Sequence, residues 1–101
     1  MYVATNRFRV AAGREEDFER AWRERESYLD EVPGFVRFAL LRADSAEGET
    51  AFVSFSEWES RAAFEAWTNS EAFVKAHRGG RTPAGVVLSH PQFEGFGVVE
   101  L

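Results

Sequence analysis

The sequence contains no cysteine and few histidines, and both facts narrow the chemistry open to it. Without cysteine, the chain has no disulfide, thiolate metal site or cysteine nucleophile. The histidines are His77 and His90. His77 has no cysteine or carboxylate near it at ligand spacing, and a zinc site needs three or four protein ligands, so zinc is excluded.

Long apolar runs and an excess of basic residues are also missing. No stretch of 18 apolar residues occurs, and the N-terminus lacks the apolar region of a signal peptide. We therefore expect a soluble, cytoplasmic protein with no membrane partner. The net charge is −5, with acids concentrated in residues 15–31. Nucleic acid is not an expected partner, because binding phosphates needs a basic face.

Apolar and aromatic residues are abundant. They make up 45% and 15% of the 101 residues, which is typical of a folded chain, and the length predicts one domain spanning residues 1–101. So short a chain buries a limited core, so a partner subunit would add to its stability.

The periodicities predict alternating strands and helices. Residues 2–10 alternate, which places Asn6 on one face with Phe8 and Val10. A helix is predicted over residues 14–31, since Phe18, Trp22, Arg25 and Leu29 recur at helical spacing. The later elements are predicted as strands 35–42 and 50–56, a helix capped by Ser56 or Ser60, a short helix 71–77, a loop 78–92 and a strand 93–101.

This β-α-β-β-α-β order is the ferredoxin-like α+β order. Two helices cover one face of a four-stranded sheet and leave the other open. Because that face carries apolar residues, the sequence predicts a homodimer.

Asn6 stands on a strand face that the pattern predicts to be buried. A buried amide without a partner costs about 1–3 kcal/mol. Asn6 therefore either bonds to a neighbouring backbone group or serves as a hydrogen-bonding wall of a ligand pocket.

The stretch from Trp67 to His77 predicts a broken helix. Thr68, Asn69 and Ser70 each compete with helical backbone bonds, so a kink there would let Trp67 and His77 converge on one cavity. The alternatives are a core tryptophan and a surface histidine. A single histidine suffices for haem iron, since the porphyrin supplies four nitrogens.

Arg25 shares the apolar face of the first helix. It either extends its charged end to water or places a cation at the rim of a pocket for an anionic ligand. Lys75, Arg78 and Arg81 could do the same, and the sequence does not choose among them.

The chain resembles the antibiotic biosynthesis monooxygenase (ABM) domains, and within them the IsdG-type haem-degrading monooxygenases. The resemblance covers essentially the whole chain, including "ATNRFRV", "VPGFVRFALLR", "SEWESRAAFEAW", "SEAFVKAHR" and "HPQFEGFGVVEL". It depends on an Asn on the first strand, a Trp on the second helix and a His about ten residues later. Here these are Asn6, Trp67 and His77.

The resemblance implies a dimeric α+β barrel that binds haem as both substrate and cofactor and uses O2. It implies that His77 is the proximal iron ligand, that Asn6 hydrogen-bonds the distal ligand, and that Trp67 presses the porphyrin out of plane. Arg25 loosely matches a basic pocket position. Ring opening would release iron and a linear tetrapyrrole. No flavin or nicotinamide motif is present, so the electrons must come from an external reductant, such as a reductase.

Two other functions stay open at this point. One is a cofactor-independent monooxygenase of the same fold that acts on an aromatic, polyketide-like substrate, although such an enzyme would not need His77. The other is a haem-binding or carrier module without turnover. The regiochemistry of ring cleavage and the identity of the reductase do not follow from the sequence.

Overall fold

The described part of the chain folds as four strands and two helices in the predicted order. A computed structural model describes residues 1–25, 29–44, 47–71, 73–74 and 83–101. The elements are β1 Tyr2–Ala11, α1 Glu15–Arg23, a 3-10 turn Leu29–Glu31, β2 Phe35–Arg42, β3 Glu49–Trp58, α2 Arg61–Thr68 and β4 Gln92–Gly97. None of the helices in these ranges is long and apolar enough to cross a membrane.

The sheet has the order β2-β3-β1-β4, and each neighbouring pair is antiparallel. β3 lies between β1 and β2, which is the split arrangement of a ferredoxin-like fold. The predicted α+β class is therefore confirmed. Both helices lie on the same side of the sheet, because the inward residues of β1 contact aromatic residues of both α1 and α2: Phe8 with Phe18, and Tyr2 with Phe64.

The hydrophobic core lies between α1 and one end of the sheet. Val10, Phe18, Phe52 and Val86 form it, and none of them is more than 1% exposed. Val86 belongs to the segment predicted as loop, yet its neighbour Val87 pairs with Val10 of β1. The long connection before β4 thus contributes to the core as well as closing the chain.

The helix predicted over residues 14–31 is shorter than expected. α1 ends at Arg23, and Leu29 is buried in the separate 3-10 turn. Helical spacing records which side chains are buried and not the backbone type, and Leu29 is buried from the 3-10 turn rather than from a continued helix.

Other boundaries also differ from the predictions. β3 continues to Trp58 rather than ending at Ser56, because Trp58 packs fully buried on the helix side. Of the two predicted caps of α2, Ser56 is wrong and Ser60 is confirmed, since the Ser60 hydroxyl accepts a hydrogen bond from the Ala63 N–H. The last strand ends at Gly97 rather than at residue 101.

The opposite face of the sheet is uncovered within the described structure and carries apolar side chains. β-strand alternation places there the residues Val3, Ala39, Leu41, Ala51, Val53, Phe55 and Phe96. Phe55 lies at the middle of this face, with the Arg37 guanidinium 4.9 Å from its ring centroid. We call these residues the open face.

Candidate active site

The floor of the candidate site is a patch of small side chains in the middle of the sheet. On the inward face, Ala4 pairs with Ser56 and Asn6 pairs with Ser54. Larger pairs border the patch, Phe8 with Phe52 on one side and Tyr2 with Trp58 on the other. Because small residues stand between large ones, the helices cannot close onto the sheet there and a cavity results.

The cavity has a volume of about 790 Å³, within the usual range for sites that bind small molecules. Its walls are mostly aromatic. The described aromatic residues that line it are Trp22, Phe35, Phe38, Phe64, Trp67, Phe73 and Phe93. Flat apolar walls over a small polar floor suit a planar ligand with a polar group at its centre.

Asn6 lies where strand alternation predicted, on the inward face and lining the cavity. Its side-chain amide makes no hydrogen bond to any residue that the structure describes. The alternative in which Asn6 bonds to a neighbouring backbone group is therefore not found in these ranges. An amide that faces a cavity without a protein partner is available to a ligand.

Trp67 lines the same cavity from α2. Its ring packs against Trp58, with the centroids 5.3 Å apart, and edge-on to Phe73 at 4.8 Å. Phe64 contacts both Trp58 and Trp67. These ring contacts restrict the movement of the Trp67 indole, which forms one wall of the cavity.

The predicted break after Trp67 is present. α2 ends at Thr68, and three side chains bond to the carbonyls that the ended helix leaves open: Thr68 and Asn69 donate to the Glu65 carbonyl at 2.8 and 3.0 Å, and Ser70 donates to the Trp67 carbonyl at 2.5 Å. The Ser70 hydroxyl also accepts from the Phe73 N–H, which caps the next helical segment. The break turns the chain so that Phe73 reaches the cavity.

Arg25 also lines the cavity. Its guanidinium lies 4.6 Å from the centroid of the Trp22 ring, a cation–π contact. Burial lowers the pKa of Arg25, although an arginine remains charged at neutral pH. Trp22 in turn stacks on Phe38, with centroids 5.6 Å apart. Arg25 therefore brings positive charge to the pocket.

Three of the four predicted site residues thus meet at one cavity, namely Asn6, Trp67 and Arg25. His77 lies outside the described residues, as do Lys75, Arg78 and Arg81. His90 is described and exposed, and it is not among the residues that line the cavity.

A match to a protein-family model identifies the family of this chain. Residues 1–79 match the model for antibiotic biosynthesis monooxygenase, a span that includes β1 to α2 and the predicted residues Asn6, Trp67 and His77. The chain belongs to this family.

This chain is also similar to a characterised enzyme and to solved structures. It is 36% identical over 93 residues to a heme oxygenase (mycobilin-producing) from Mycobacterium tuberculosis, covering 91% of this chain and 86% of that protein. The solved structure of the heme degrader MhuD from the same organism, with two hemes bound in its active site, aligns with a TM-score of 0.75. That alignment has 29% identity and covers 99% of this chain and 97% of MhuD. The resemblance to the IsdG-type enzymes is thereby confirmed.

A more distant structure shares only the fold with this ABM chain. It is a mutant of SnoaB, a cofactor-independent oxygenase from Streptomyces nogalater, with 20% identity and a TM-score of 0.67, covering 99% of this chain and 94% of the other.

Sequence reasoning missed one part of this ABM site, which is its serine floor. Ser54 and Ser56 stand on a strand whose two faces both carry apolar residues, so alternation did not show which face was inward. The signal that identifies this floor is the pairing of a short polar residue on β3 with Asn6 on β1. It can be recognised only when the register of the two strands is known.

Proposed function

We propose that this protein is a haem-degrading monooxygenase that binds haem and opens its porphyrin ring. The observation that carries the proposal is the cavity itself, in which Asn6 and Trp67 lie together on an aromatic-walled site. The similarity to a mycobilin-producing heme oxygenase supports it. Haem would be the substrate, O2 and an external reductant the co-reactants, and iron and a linear tetrapyrrole the products.

The residues present fit a porphyrin. Aromatic walls suit the faces and apolar edges of a flat macrocycle, and the small polar floor leaves room for a ligand at its centre. Haem supplies the iron at which oxygen is activated and the ring that is opened. The protein supplies binding, orientation and the exclusion of water.

His77 is proposed as the protein ligand of the iron. Haem needs one imidazole from the protein, because four ring nitrogens already occupy the equatorial positions. His77 comes four residues after Phe73, which lines the cavity. No other histidine occurs in the sequence apart from His90, which is exposed.

Trp67 is proposed to press against the porphyrin face. A side chain can distort a ligand only when it cannot move away itself. The packing of Trp58 at 5.3 Å and Phe73 at 4.8 Å provides that support. Binding energy from the rest of the ring would then be used to hold the ligand out of plane.

Asn6 and Arg25 are proposed to act on polar parts of the ligand. The Asn6 amide can donate a hydrogen bond to the small molecule on the open side of the iron. The Arg25 cation can attract an anionic edge of the ligand, and its stacking on Trp22 holds it in place.

The test of this function has two stages. Haemin titrated into the purified protein should give a saturable Soret shift, with metal-free protoporphyrin as the control for binding that does not depend on iron. Ascorbate in air should then cause the Soret band to disappear with the appearance of a linear tetrapyrrole. A protein with no Soret shift would not be a haem enzyme, and the cofactor-independent alternative would gain support. A stable Soret band under reductant would instead indicate a haem carrier.

The functional unit is proposed to be a homodimer that buries the open face. We expect light scattering at micromolar concentration to give twice the chain mass with or without haem. Phe55→Lys at the centre of this face should shift the protein toward monomer, because a buried unpaired charge is costly. Ala62→Lys, which adds the same charge to an exposed position of α2, is the control. A monomeric wild-type protein would contradict the proposal.

A further inference from the structure

Three hydroxyl groups of β3 point toward the helices, and two of them have partners within the protein. Thr50 donates to Glu15 Oε2 at 2.8 Å. Ser56 accepts from Trp58 Nε1 at 2.9 Å and donates to the Ala4 carbonyl at 3.4 Å. Ser54 is only 5% exposed, yet its hydroxyl makes no hydrogen bond to a residue in the described ranges.

Ser54 is also placed where a ligand would meet it. It lines the cavity and stands directly across from Asn6 in the β1–β3 register. Directly opposed residues of an antiparallel pair have Cβ atoms about 4.5–5.5 Å apart, so one small molecule can contact both side chains. The side chain of Ser54 faces the cavity, so a molecule in the cavity can act as the hydrogen-bond partner of its hydroxyl.

We propose that Ser54 is a second hydrogen-bonding residue of the site, which acts together with Asn6 on the same small ligand. The Ser54 O–H and the Asn6 N–H would both donate to a small, negatively polarised molecule on the open side of the haem iron. This inference rests on the proposed haem function. Ser54 then belongs to the residues that touch the reacting atoms, whereas Ser56 is engaged in holding Trp58.

The experiment uses the haem-loaded protein and two probe ligands, cyanide for the ferric form and carbon monoxide for the ferrous form. Ser54→Ala should weaken cyanide binding about three- to tenfold, the usual effect of losing one hydrogen bond. It should also raise the carbon monoxide stretching frequency, because a donor near the ligand oxygen lowers that frequency. Ser54→Thr keeps the hydroxyl and should retain both wild-type values.

Thr50→Val is the matched control, since it removes an inward hydroxyl of the same strand that does not line the cavity. We expect it to leave both probe readings unchanged. If wild-type protein binds haem and Ser54→Ala matches it in cyanide affinity and stretching frequency, the role of Ser54 is refuted while the haem function stands. If wild-type protein binds no haem, both are refuted.

Discussion

His77→Ala is expected to abolish the imidazole-ligated haem spectrum and to weaken haem binding more than about 100-fold. The reason is that His77 is the proposed protein bond to the iron, and removing a direct ligand costs more than the 10- to 100-fold that loss of its supporting residues costs. The measurement is a haemin titration followed by absorbance, with the Soret and visible bands recorded at saturation. The cavity walls remain in the variant, so weak unligated binding of the porphyrin should persist.

The control for His77 is His90→Ala, which should retain the wild-type spectrum and affinity. His90 is exposed and lies outside the cavity. It also precedes Pro91, and a residue before proline favours extended backbone. Loss of the ligated spectrum in His90→Ala, with retention in His77→Ala, would show that the ligand is assigned to the wrong histidine.

Trp67→Phe and Asn6→Ala are expected to bind haem within about tenfold of the wild-type affinity, yet to degrade it roughly 10- to 100-fold more slowly. His77, the proposed iron ligand, is unchanged in both variants, so most affinity should be kept. Phenylalanine is smaller than tryptophan, so the pressure on the ring relaxes. Asn6→Ala removes the proposed donor, which would act mainly in the reactive state, so the rate should fall more than the binding.

Both rates are measured as loss of Soret absorbance with ascorbate in air, beside a haem titration of each variant. Thr5→Ala is the control for Asn6→Ala, because Thr5 is the next residue of β1 and points to the open face, where it donates to the Glu94 carbonyl. If both site variants turn over at the wild-type rate, the distorted-ring mechanism is wrong, and ring opening does not depend on Trp67 or Asn6.

Strand alternation correctly predicted the inward placement of Asn6, because the direction of a side chain on a strand is determined by the strand itself. Side chains of a strand alternate whatever the sheet pairs with, so the inward position of Asn6 beside Phe8 and Val10 could be read from β1 alone. The break after Trp67 was predictable for the same reason. Thr68, Asn69 and Ser70 bond to carbonyls within their own turn of chain.

Features that depend on contacts distant in sequence could not be predicted. The spacing of Phe18, Trp22, Arg25 and Leu29 predicted one helix to residue 31, whereas α1 ends at Arg23 and Leu29 lies in a separate 3-10 turn. Periodicity records burial and not backbone type. The position of Ser54 opposite Asn6 depends on the register of β1 with β3. The cavity itself depends on small residues of two strands coming together, which neither strand shows alone.

The clustering of the indole rings determines where the tryptophan fluorescence of this protein originates. The chain has three tryptophans. Trp22 and Trp67 line the cavity, and the Trp58 ring lies 5.3 Å from that of Trp67. All the indole fluorescence of the protein thus originates at the cavity or one ring away from it. Because haem absorbs where indoles emit, filling the cavity would quench nearly the whole emission, and occupancy can be followed without a label.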